Sequence, residues 1–323
     1  MKAAVYTSYG APEVVHIKDI TKPRPAKNEI LIHVHASSVN SGDMRARSLN
    51  MPKGFGLIGR LVFGVFGPRK QVLGVVLAGV IEAVGKNVTS FKPGDEVFAD
   101  TGTGFGGHAE YITLRETAAI AMKPENSSFE QAAVVSFGGC TALQFLRDKA
   151  GIQKGDKVLI VGASGAVGLA AVQLAKHFGA EVTAVCSAGN HDLVRSLGAD
   201  HVIDYLTEDF TKHGRLYDII MDTVGTAPWA RCKVSLAKTG RLLLVNGSLG
   251  DMLRAGFVSR RNGKMLVPGV AMGTTADLQF LAELVLAGKY VPVIDRTYHL
   301  DQIVAAHAYV DTGRKKGSVA ITI

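Results

Sequence analysis

The chain has 323 residues, of which 47% are hydrophobic and 20% charged, a composition typical of about two folded domains and not of a disordered chain. Its net charge of +8 favours anionic ligands, but no nucleic-acid-binding motif accompanies that charge. The three cysteines form no C-x-x-C pair, which excludes a disulfide scaffold and indicates reduced thiols in the cytoplasm. The chain contains no run of about 18 apolar residues, which is the length that a membrane-spanning helix needs.

Residues 1–125 read as short strands separated by turns, without regular alternation of strands and helices. The last residues, Ser318–Ile323, alternate in the same way, and we expect them to return to this domain. We therefore predict one β-rich domain from residues 1–125 and 290–323. Its other strands are predicted at Lys2–Tyr6, Glu29–Val39, Gly79–Val84, Glu96–Ala99 and Ala109–Thr113.

Residues 126–289 have a different pattern, in which apolar strands alternate with helices. Buried strands of this kind form a parallel, doubly wound sheet, so the fold class is α/β. Helices are predicted around Gln131–Ala150, Ala166–Phe178, Ala276–Ala287 and, beyond this domain, Gln302–Val310, and one capped by Asn190 runs to Leu197. Strands are predicted at Val158–Val161, Glu181–Cys186, His201–Asp204, Asp218–Met221 and Leu242–Val245.

A glycine-rich loop joins the first of these strands to the helix that begins at Ala166. Its sequence is Gly162-Ala163-Ser164-Gly165-Ala166-Val167-Gly168. Glycines let the backbone turn sharply and approach a pyrophosphate, while the N-terminus of the helix offers free N–H groups and partial positive charge. The position of the motif at a strand–helix junction favours a dinucleotide site over a tight turn without a ligand.

The residues after the second strand indicate which dinucleotide binds. NAD-binding folds place Asp or Glu there to accept a hydrogen bond from the ribose 2′-hydroxyl, but this chain has Ser187-Ala188-Gly189-Asn190. A hydroxyl and an amide can donate to a 2′-phosphate, which a carboxylate would repel. NADPH is therefore favoured over NADH, although positive charge would have to come from Arg195 or from the Arg314-Lys315-Lys316 run.

Several further motifs extend along the whole chain: Val39-Asn40-Ser41-Gly42-Asp43, Gly79-Val80-Ile81-Glu82-Ala83-Val84-Gly85, Phe91-Lys92-Pro93-Gly94-Asp95, Gly107-His108-Ala109-Glu110-Tyr111 and Asp222-Thr223-Val224-Gly225. Together with the glycine loop, they resemble the zinc-independent quinone oxidoreductase branch of the medium-chain dehydrogenase/reductase superfamily. The resemblance implies a GroES-like catalytic domain, a Rossmann domain and an active site in the cleft between them.

The resemblance also implies contacts between single residues and the cofactor. Ser164, Ala166 and Val167 would lie on the pyrophosphate, and Ser187 and Tyr205 beside the adenosine 2′-phosphate. Thr141 would approach the nicotinamide side. Thr223 and Val245 would line the path of the cofactor, and Lys316 would reach its phosphates.

The residue types alone show whether the chain has the ligands of a catalytic zinc site. Zinc-dependent relatives supply a Cys near position 40 and a His-Glu pair near 75, where this chain has Asn40 and Val75-Val76. A thiolate–imidazole site cannot be assembled from these residues, and His33 and His35, on one strand face, lack a third ligand. A site without metal favours an activated acceptor, a quinone or an enone. Asn40 is the predicted oxyanion or substrate donor and Asp43 its orienting residue; the alternative is a satisfied Asx turn.

The sequence leaves two alternative functions open and also predicts an assembly state. An NAD(P)-dependent carbonyl or alcohol dehydrogenase is the second candidate, and a non-catalytic NADPH-binding regulatory or RNA-binding protein is supported by the net charge alone. The strands Leu242–Val245 and Met265–Val267 would leave an apolar sheet edge. By resemblance, relatives pair such edges across a two-fold axis, so a homodimer is predicted.

Residues 44–81 are the least typical part of the chain, with six Lys or Arg residues and no Asp or Glu. Five glycines at 54–67 argue against a stable helix there. Arg45 stands where family members often carry an aromatic residue, and it either recognises an acidic or carbonyl oxygen or faces solvent. Phe63 and Phe66 are predicted to belong to a lid over an apolar acceptor. A packed loop, or a surface that docks on an anionic membrane or a partner, are the alternatives.

Overall fold

Two large sheets, with a two-stranded sheet of Lys2–Tyr6 and Val15–Asp19, organise the protein, which is described here by a computed structural model of residues 1–261 and 263–323. Together they make an α/β protein with a β-rich GroES-like unit and a Rossmann unit, which confirms the predicted fold class. The strands are β1 (Lys2–Tyr6), β2 (Val15–Asp19), β3 (Glu29–Val39), β4 (Val76–Val84), β5 (Glu96–Asp100), β6 (Tyr111–Arg115), β7 (Ala119–Met122), β8 (Lys157–Val161), β9 (Glu181–Cys186), β10 (His201–Asp204), β11 (Tyr217–Asp222), β12 (Leu236–Leu244), β13 (Met265–Pro268), β14 (Ile294–His299) and β15 (Ser318–Thr322).

The sheet of the first unit has seven strands in the order β14-β15-β3-β4-β5-β7, with β6 also paired to β3. The last strand, β15, pairs antiparallel with β3, Val319 opposite Val39, so the end of the chain returns to this unit. Strand β4 begins at Val76, earlier than predicted, because Val76, Leu77 and Ala78 are buried apolar residues that already pair with β5.

The Rossmann sheet has six strands in the order β10-β9-β8-β11-β12-β13, and every pairing in it is parallel. The order reverses beside β8, the strand that precedes the glycine loop. In open parallel sheets, ligands bind at the carboxyl ends of the strands at such a switch point. The topology therefore places the glycine loop where a dinucleotide is expected.

Nine helices cover and connect the sheets within residues 1–261 and 263–323. Helix α3 contributes Ala132 and Ala142 to a core that also contains Ala36 and Ala78 of the first sheet and Ile160 of the second, so it packs between the two units. The helices are α1 (Ser41–Ser48), α2 (Gly56–Phe63), α3 (Phe129–Leu143), α4 (Ala166–His177), α5 (His191–Ser196), α6 (Trp229–Cys232), α7 (Leu249–Arg261), α8 (Thr275–Leu286) and α9 (Ile303–Asp311).

Helix α2 contradicts the expectation that the glycines at 54–67 prevent a helix. Only Gly56 and Gly59 lie inside it, and a Cβ at Gly59 would come within 2.7 Å of Met51, so that glycine permits close packing. Gly64, with φ of 133°, ends the helix and donates its N–H to the carbonyl of Arg60. Tertiary packing and a glycine terminus offset the low intrinsic propensity.

Asn190 occupies the predicted N-cap position of the next helix, but its side chain does not cap that helix. A short 3₁₀ turn at 188–190 precedes α5, and no side-chain hydrogen bond from Asn190 caps that helix. Among the described residues, no helix has the length and apolar character needed to cross a membrane.

Candidate active site

A cavity of about 300 Å³ lies between the two units. The first unit supplies Phe63, Asp100 and Phe105 to its wall, and the Rossmann unit supplies Thr223 and Val245. Most of the wall is apolar, which is typical of a small-molecule site that excludes water. The wall also contains Met51, Pro52, Phe55, Arg45, Phe137, Cys140, Thr141, Val167 and Asn246.

The glycine loop has the close backbone approaches that a dinucleotide cradle requires. Gly162 has a φ of 78°, and a Cβ there would meet Val224 at 2.5 Å. A Cβ at Gly168 would lie 2.2 Å from the carbonyl oxygen of Gly162, so α4 packs directly on the loop. Gly165 occupies the N-cap of α4 and has no side chain to satisfy the N–H groups of the first turn, starting at Ala166. Those groups are available to a pyrophosphate.

The predicted adenosine end of the site lies where β9 and β10 end side by side. Cys186 pairs with Asp204 in register, so the residues that follow, Ser187 and Tyr205, are neighbours at the same edge. The amide of Asn190 donates to Ser187 Oγ at 3.1 Å and to Ser164 Oγ at 3.2 Å, which explains why it does not cap α5.

Two buried polar atoms at this end are unsatisfied in the described part of the chain: Asn190 Oδ1 and His191 Nε2. Buried polar groups are normally hydrogen-bonded, so such atoms beside a cofactor loop fit a bound ligand. Asp204, the nearest carboxylate along β10, accepts from the Leu206 N–H at 3.0 Å. Arg195 faces Asp192 at 3.7 Å. The adenosine end thus fits a dinucleotide, with hydroxyl and amide groups at the position after β9.

The remaining predicted cofactor residues divide into two groups. Thr141, Val167, Thr223 and Val245 all line the cavity. Lys316 is exposed, but its N–H donates to Asp295 and the next N–H, of Gly317, donates to the Ser164 carbonyl at 2.9 Å. The basic run therefore passes directly beside the glycine loop.

Asn40 and Asp43 form a reciprocal cap at the start of α1. Asn40 Oδ1 accepts from the N–H of Gly42 at 2.8 Å, and Asp43 accepts from the N–H groups of Asn40, Gly74 and Val75 at 3.1, 2.9 and 3.2 Å. Both side chains are buried and neither lines the cavity. Burial raises the pKa of Asp43.

This arrangement corresponds to the Asx-turn alternative and differs from the prediction that Asn40 donates to the substrate. Its Oδ1 is already used by the backbone, and its Nδ2 is buried without a hydrogen-bond partner among the described residues. The pair instead fixes the start of α1 and the loop at 74–75, both of which border the cavity.

Arg45 lines the cavity. The sequence alternative in which Arg45 faces open solvent is therefore excluded. Its Nη2 donates to Asn246 Oδ1, which links α1 to the second residue after β12. Burial lowers the pKa of Arg45, yet a guanidinium stays protonated. A guanidinium has five N–H donors, so Arg45 retains donors for an acceptor in the cavity.

Phe63 and Phe66, which the sequence assigned together to a lid, lie in different places. Phe63 lines the cavity, with its ring 6.0 Å from that of Phe105. Phe66 is fully exposed and outside the cavity wall. The segment thus supplies part of the wall through Phe63, while the placement of Phe66 contradicts its assignment to the substrate site.

The polar residues of the wall that the sequence missed include Asp100, Cys140 and Asn246. Asp100 ends β5 and accepts from the Gly102 N–H at 2.8 Å, and burial raises its pKa. Asn246 comes two residues after β12, at the carboxyl edge that binds ligands in open sheets. That edge rule could have identified Asn246, but Asp100 and Cys140 follow no comparable pattern.

His33 and His35, the histidines that resemble a metal pair, stack on aromatic rings. Their ring centroids lie 4.7 Å apart, with Tyr111 against His33 and Phe129 against His35. Within the described ranges, no group of three or more His, Cys, Asp or Glu residues is placed to hold a metal ion.

The two units and the dinucleotide loop between strand and helix define a nicotinamide-dependent oxidoreductase of two domains. Two family models match the chain: "Alcohol dehydrogenase GroES-like domain" at residues 26–125 and "Zinc-binding dehydrogenase" at residues 197–321. A solved structure, that of the quinone oxidoreductase from Coxiella burnetii, is similar over 100% of this chain and 99% of that chain, with a TM-score of 0.86 and 28% identity.

Curated relatives at 33% identity agree with this assignment. They are a 2-methylene-furan-3-one reductase of Solanum lycopersicum (99% of this chain, 79% of the relative), the quinone-oxidoreductase QR1 of Triphysaria versicolor (99% and 98%) and the NAD(P)H oxidoreductase RTN4IP1 of Mus musculus (100% and 89%). The chain belongs to the quinone oxidoreductase-like branch of the medium-chain dehydrogenase/reductase superfamily, and it is an NAD(P)H-dependent oxidoreductase.

Proposed function

We propose that the protein transfers a hydride from NADPH to a quinone or an α,β-unsaturated carbonyl without the help of zinc. The observation that carries this proposal is an apolar cavity at the carboxyl edge of the Rossmann sheet, with one arginine, Arg45, in its described wall. The printed names of the relatives, a quinone oxidoreductase and a furanone reductase, support this acceptor class.

Hydride transfer to such an acceptor requires the protein to orient the two reactants and to stabilise the developing charge. When bound, NADPH supplies the hydride, and a conjugated acceptor delocalises the arriving charge onto its own oxygen. Arg45 donates hydrogen bonds to that oxygen, and its buried setting strengthens the interaction. Phe63, Phe105 and Phe137 exclude water around the acceptor. Asn40 and Asp43 act as positioning residues, because they hold the start of the helix that carries Arg45.

For the cofactor, we propose that Ser187 and Asn190, with Tyr205 beside them, bind the 2′-phosphate of NADPH. Of the two buried atoms without described partners, His191 Nε2 can donate to a phosphate oxygen, whereas Asn190 Oδ1 only accepts and fits a donor such as a ribose hydroxyl. The glycine loop, including Gly162, Ser164, Gly165, Ala166, Val167 and Gly168, would hold the pyrophosphate, with Lys316 close by.

The test is a panel of quinones, enones, aldehydes and alcohols, with NADPH absorbance as the readout and a metal chelator as a control. We expect turnover with quinones or enones that the chelator leaves unchanged. Faster alcohol oxidation, or activity that the chelator abolishes, would favour the dehydrogenase alternative. Tight NADPH binding without turnover of any acceptor would favour a regulatory protein.

We also propose a homodimer and a cytoplasmic location. Strand β13 forms one edge of the Rossmann sheet, and the nearby side chains of Met265 and Val270 are exposed apolar groups. Such edges are normally covered or paired. The three free cysteines support a reducing compartment. A monomer mass by light scattering at micromolar concentration would contradict the dimer.

A further inference from the structure

The segment that forms one wall of the cavity carries an exposed apolar surface on its outside. We call this surface the α2 face: Leu57, Ile58, Leu61 and Val62 of the helix, with Val65 and Phe66 after it. Leu57 is 74% exposed, Leu61 is 54% exposed and Phe66 fully so. Single exposed apolar residues are ordinary, but a contiguous group on one short helix marks a docking surface.

Positive charge surrounds the α2 face. Lys53, Arg60, Arg69 and Lys70 are all exposed, and residues 44–81 contain no carboxylate. In the described part of the chain, none of these four cations forms a salt bridge within 4.0 Å. Arg60 and Arg69 both lie beside the turn that ends α2: Arg60 Nη1 donates to the Val65 carbonyl at 3.3 Å, and the Arg69 N–H donates to the Phe63 carbonyl at 2.8 Å.

The nearest acidic residue on the neighbouring helix does not neutralise this charge. Helix α7 approaches the segment where the Leu249 N–H donates to the Lys53 carbonyl at 3.0 Å. Its first acidic residue, Asp251, accepts from the N–H and the hydroxyl of Ser248 at 2.9 and 2.6 Å and so caps α7. The α2 face therefore combines apolar side chains with unpaired cations.

We propose that the α2 face docks on the surface of an anionic phospholipid bilayer. An amphipathic helix binds in the interfacial plane when its apolar side chains enter the acyl boundary and its cations meet lipid phosphates. Eight helical residues are far too few to cross the bilayer, so the contact is peripheral. A second copy of the chain is a poorer occupant, because a two-fold contact would bring the same four cations against each other.

The proposed docking also has a consequence for the cavity, which rests on the proposed quinone reductase function. Phe55 and Phe63, at the two ends of α2, line the cavity, as do Met51 and Pro52 just before it. Docking would place this wall at the membrane boundary, where apolar quinones dissolve. The acceptor could then reach the cavity with little exposure to water.

Co-sedimentation with vesicles tests the docking without any enzyme assay. The full chain is mixed with phosphatidylcholine vesicles that contain or lack phosphatidylglycerol, at low and high salt. We expect binding to the anionic vesicles only, and its loss at high salt. Absence of binding at low salt, or equal binding to neutral vesicles, would overturn the proposal.

Variants locate the surface. Leu61→Glu combined with Phe66→Glu, and separately Arg69→Glu combined with Lys70→Glu, should each weaken binding at least roughly ten-fold. Leu286→Glu, at another exposed leucine, and Lys18→Glu combined with Lys27→Glu, which matches the change in net charge, should bind as the wild type does. Equal loss in the controls would overturn the assignment to the α2 face.

Two further measurements make the outcomes distinct. Circular dichroism and thermal unfolding show that each variant folds. Light scattering shows whether Leu61→Glu with Phe66→Glu changes the oligomeric state; a dimer that dissociates, without vesicle binding by the wild type, would identify a second copy as the occupant. Vesicle binding by a chain that reduces neither quinones nor enones would sustain the docking and reject the proposed function.

Discussion

The guanidinium of Arg47 donates to both carboxylate oxygens of Asp311, at 2.7 and 2.6 Å. Arg47 is completely buried and also donates to the carbonyl of Gly10 at 3.0 Å. This pair fastens α1, near the start of the chain, to the end of α9. Arg45, two residues before Arg47, is thereby held at the cavity wall, so one arginine is structural while its neighbour faces the site.

Removal of the carboxylate in Asp311→Ala should lower the free energy of unfolding by about 3–5 kcal/mol, because it leaves a buried guanidinium without its counter-ion. Urea unfolding measures the change. Asp301→Ala is the matched control: its ion pair with Lys2, at 3.4 Å, is half exposed, and its loss should cost less than about 1 kcal/mol. Similar small losses for both variants would show that the Arg47 pair does not fasten the helices.

Arg45→Met should reduce kcat/KM for quinones by roughly 10²-fold, since it removes the donor proposed to stabilise the developing oxyanion. Its affinity for NADPH should change little, because Arg45 lies outside the glycine loop. Arg45→Lys keeps the charge but loses the planar fork, and we expect an intermediate rate. Wild-type kcat/KM in Arg45→Met, measured by NADPH absorbance, would exclude this residue from the chemistry.

NADPH should bind at least ten-fold more tightly than NADH, a difference of about 1.4 kcal/mol. Ser187→Asp should erase or reverse that preference, because a carboxylate beside Tyr205 repels a 2′-phosphate and accepts from a 2′-hydroxyl. Fluorescence titration gives both dissociation constants. Ser196→Asp, on the exposed surface of α5, adds the same charge elsewhere and should leave the ratio unchanged. Equal wild-type affinities would contradict the assignment.

The parts of the site that the sequence predicted well are those built from local pattern. Strand β9 and the glycine loop follow from apolar runs and glycine spacing, which need no knowledge of distant partners. The orientation of Arg45 could not be predicted in this way, because the pair that fixes α1 joins residues 264 positions apart. Helix α2 was missed because propensity counts the cost of Gly59 but not its packing on Met51.

The separation of Phe63 from Phe66 gives a paired prediction for assays without membranes. Phe63→Ala should raise the KM for bulky apolar quinones by roughly ten-fold, because it removes a ring from the cavity wall. Phe66→Ala should leave all steady-state constants at wild-type values, because this ring is fully exposed. An equal effect of the two variants would support the lid that was predicted from the sequence. It would contradict the conclusion that only Phe63 belongs to the cavity wall.

Cys140 lines the cavity in which a conjugated electrophile would bind, yet we expect it to stay unmodified. Burial raises the pKa of this thiol well above its usual range, and it raises the pKa of Cys186 to about 11 and that of Cys232 to about 12. Quinones and enones alkylate the thiolate, which is therefore scarce near neutral pH in the folded protein.

Intact-mass spectrometry after incubation with a quinone at neutral pH, without NADPH, measures this protection. We expect no adduct on the folded chain and rapid addition to all three thiols in urea. Ser196→Cys supplies an exposed thiol as a positive control and should gain one adduct while folded. Addition to Cys140 in the native protein would show that the cavity supports its thiolate, and the enzyme would then be open to inactivation by its own proposed substrates.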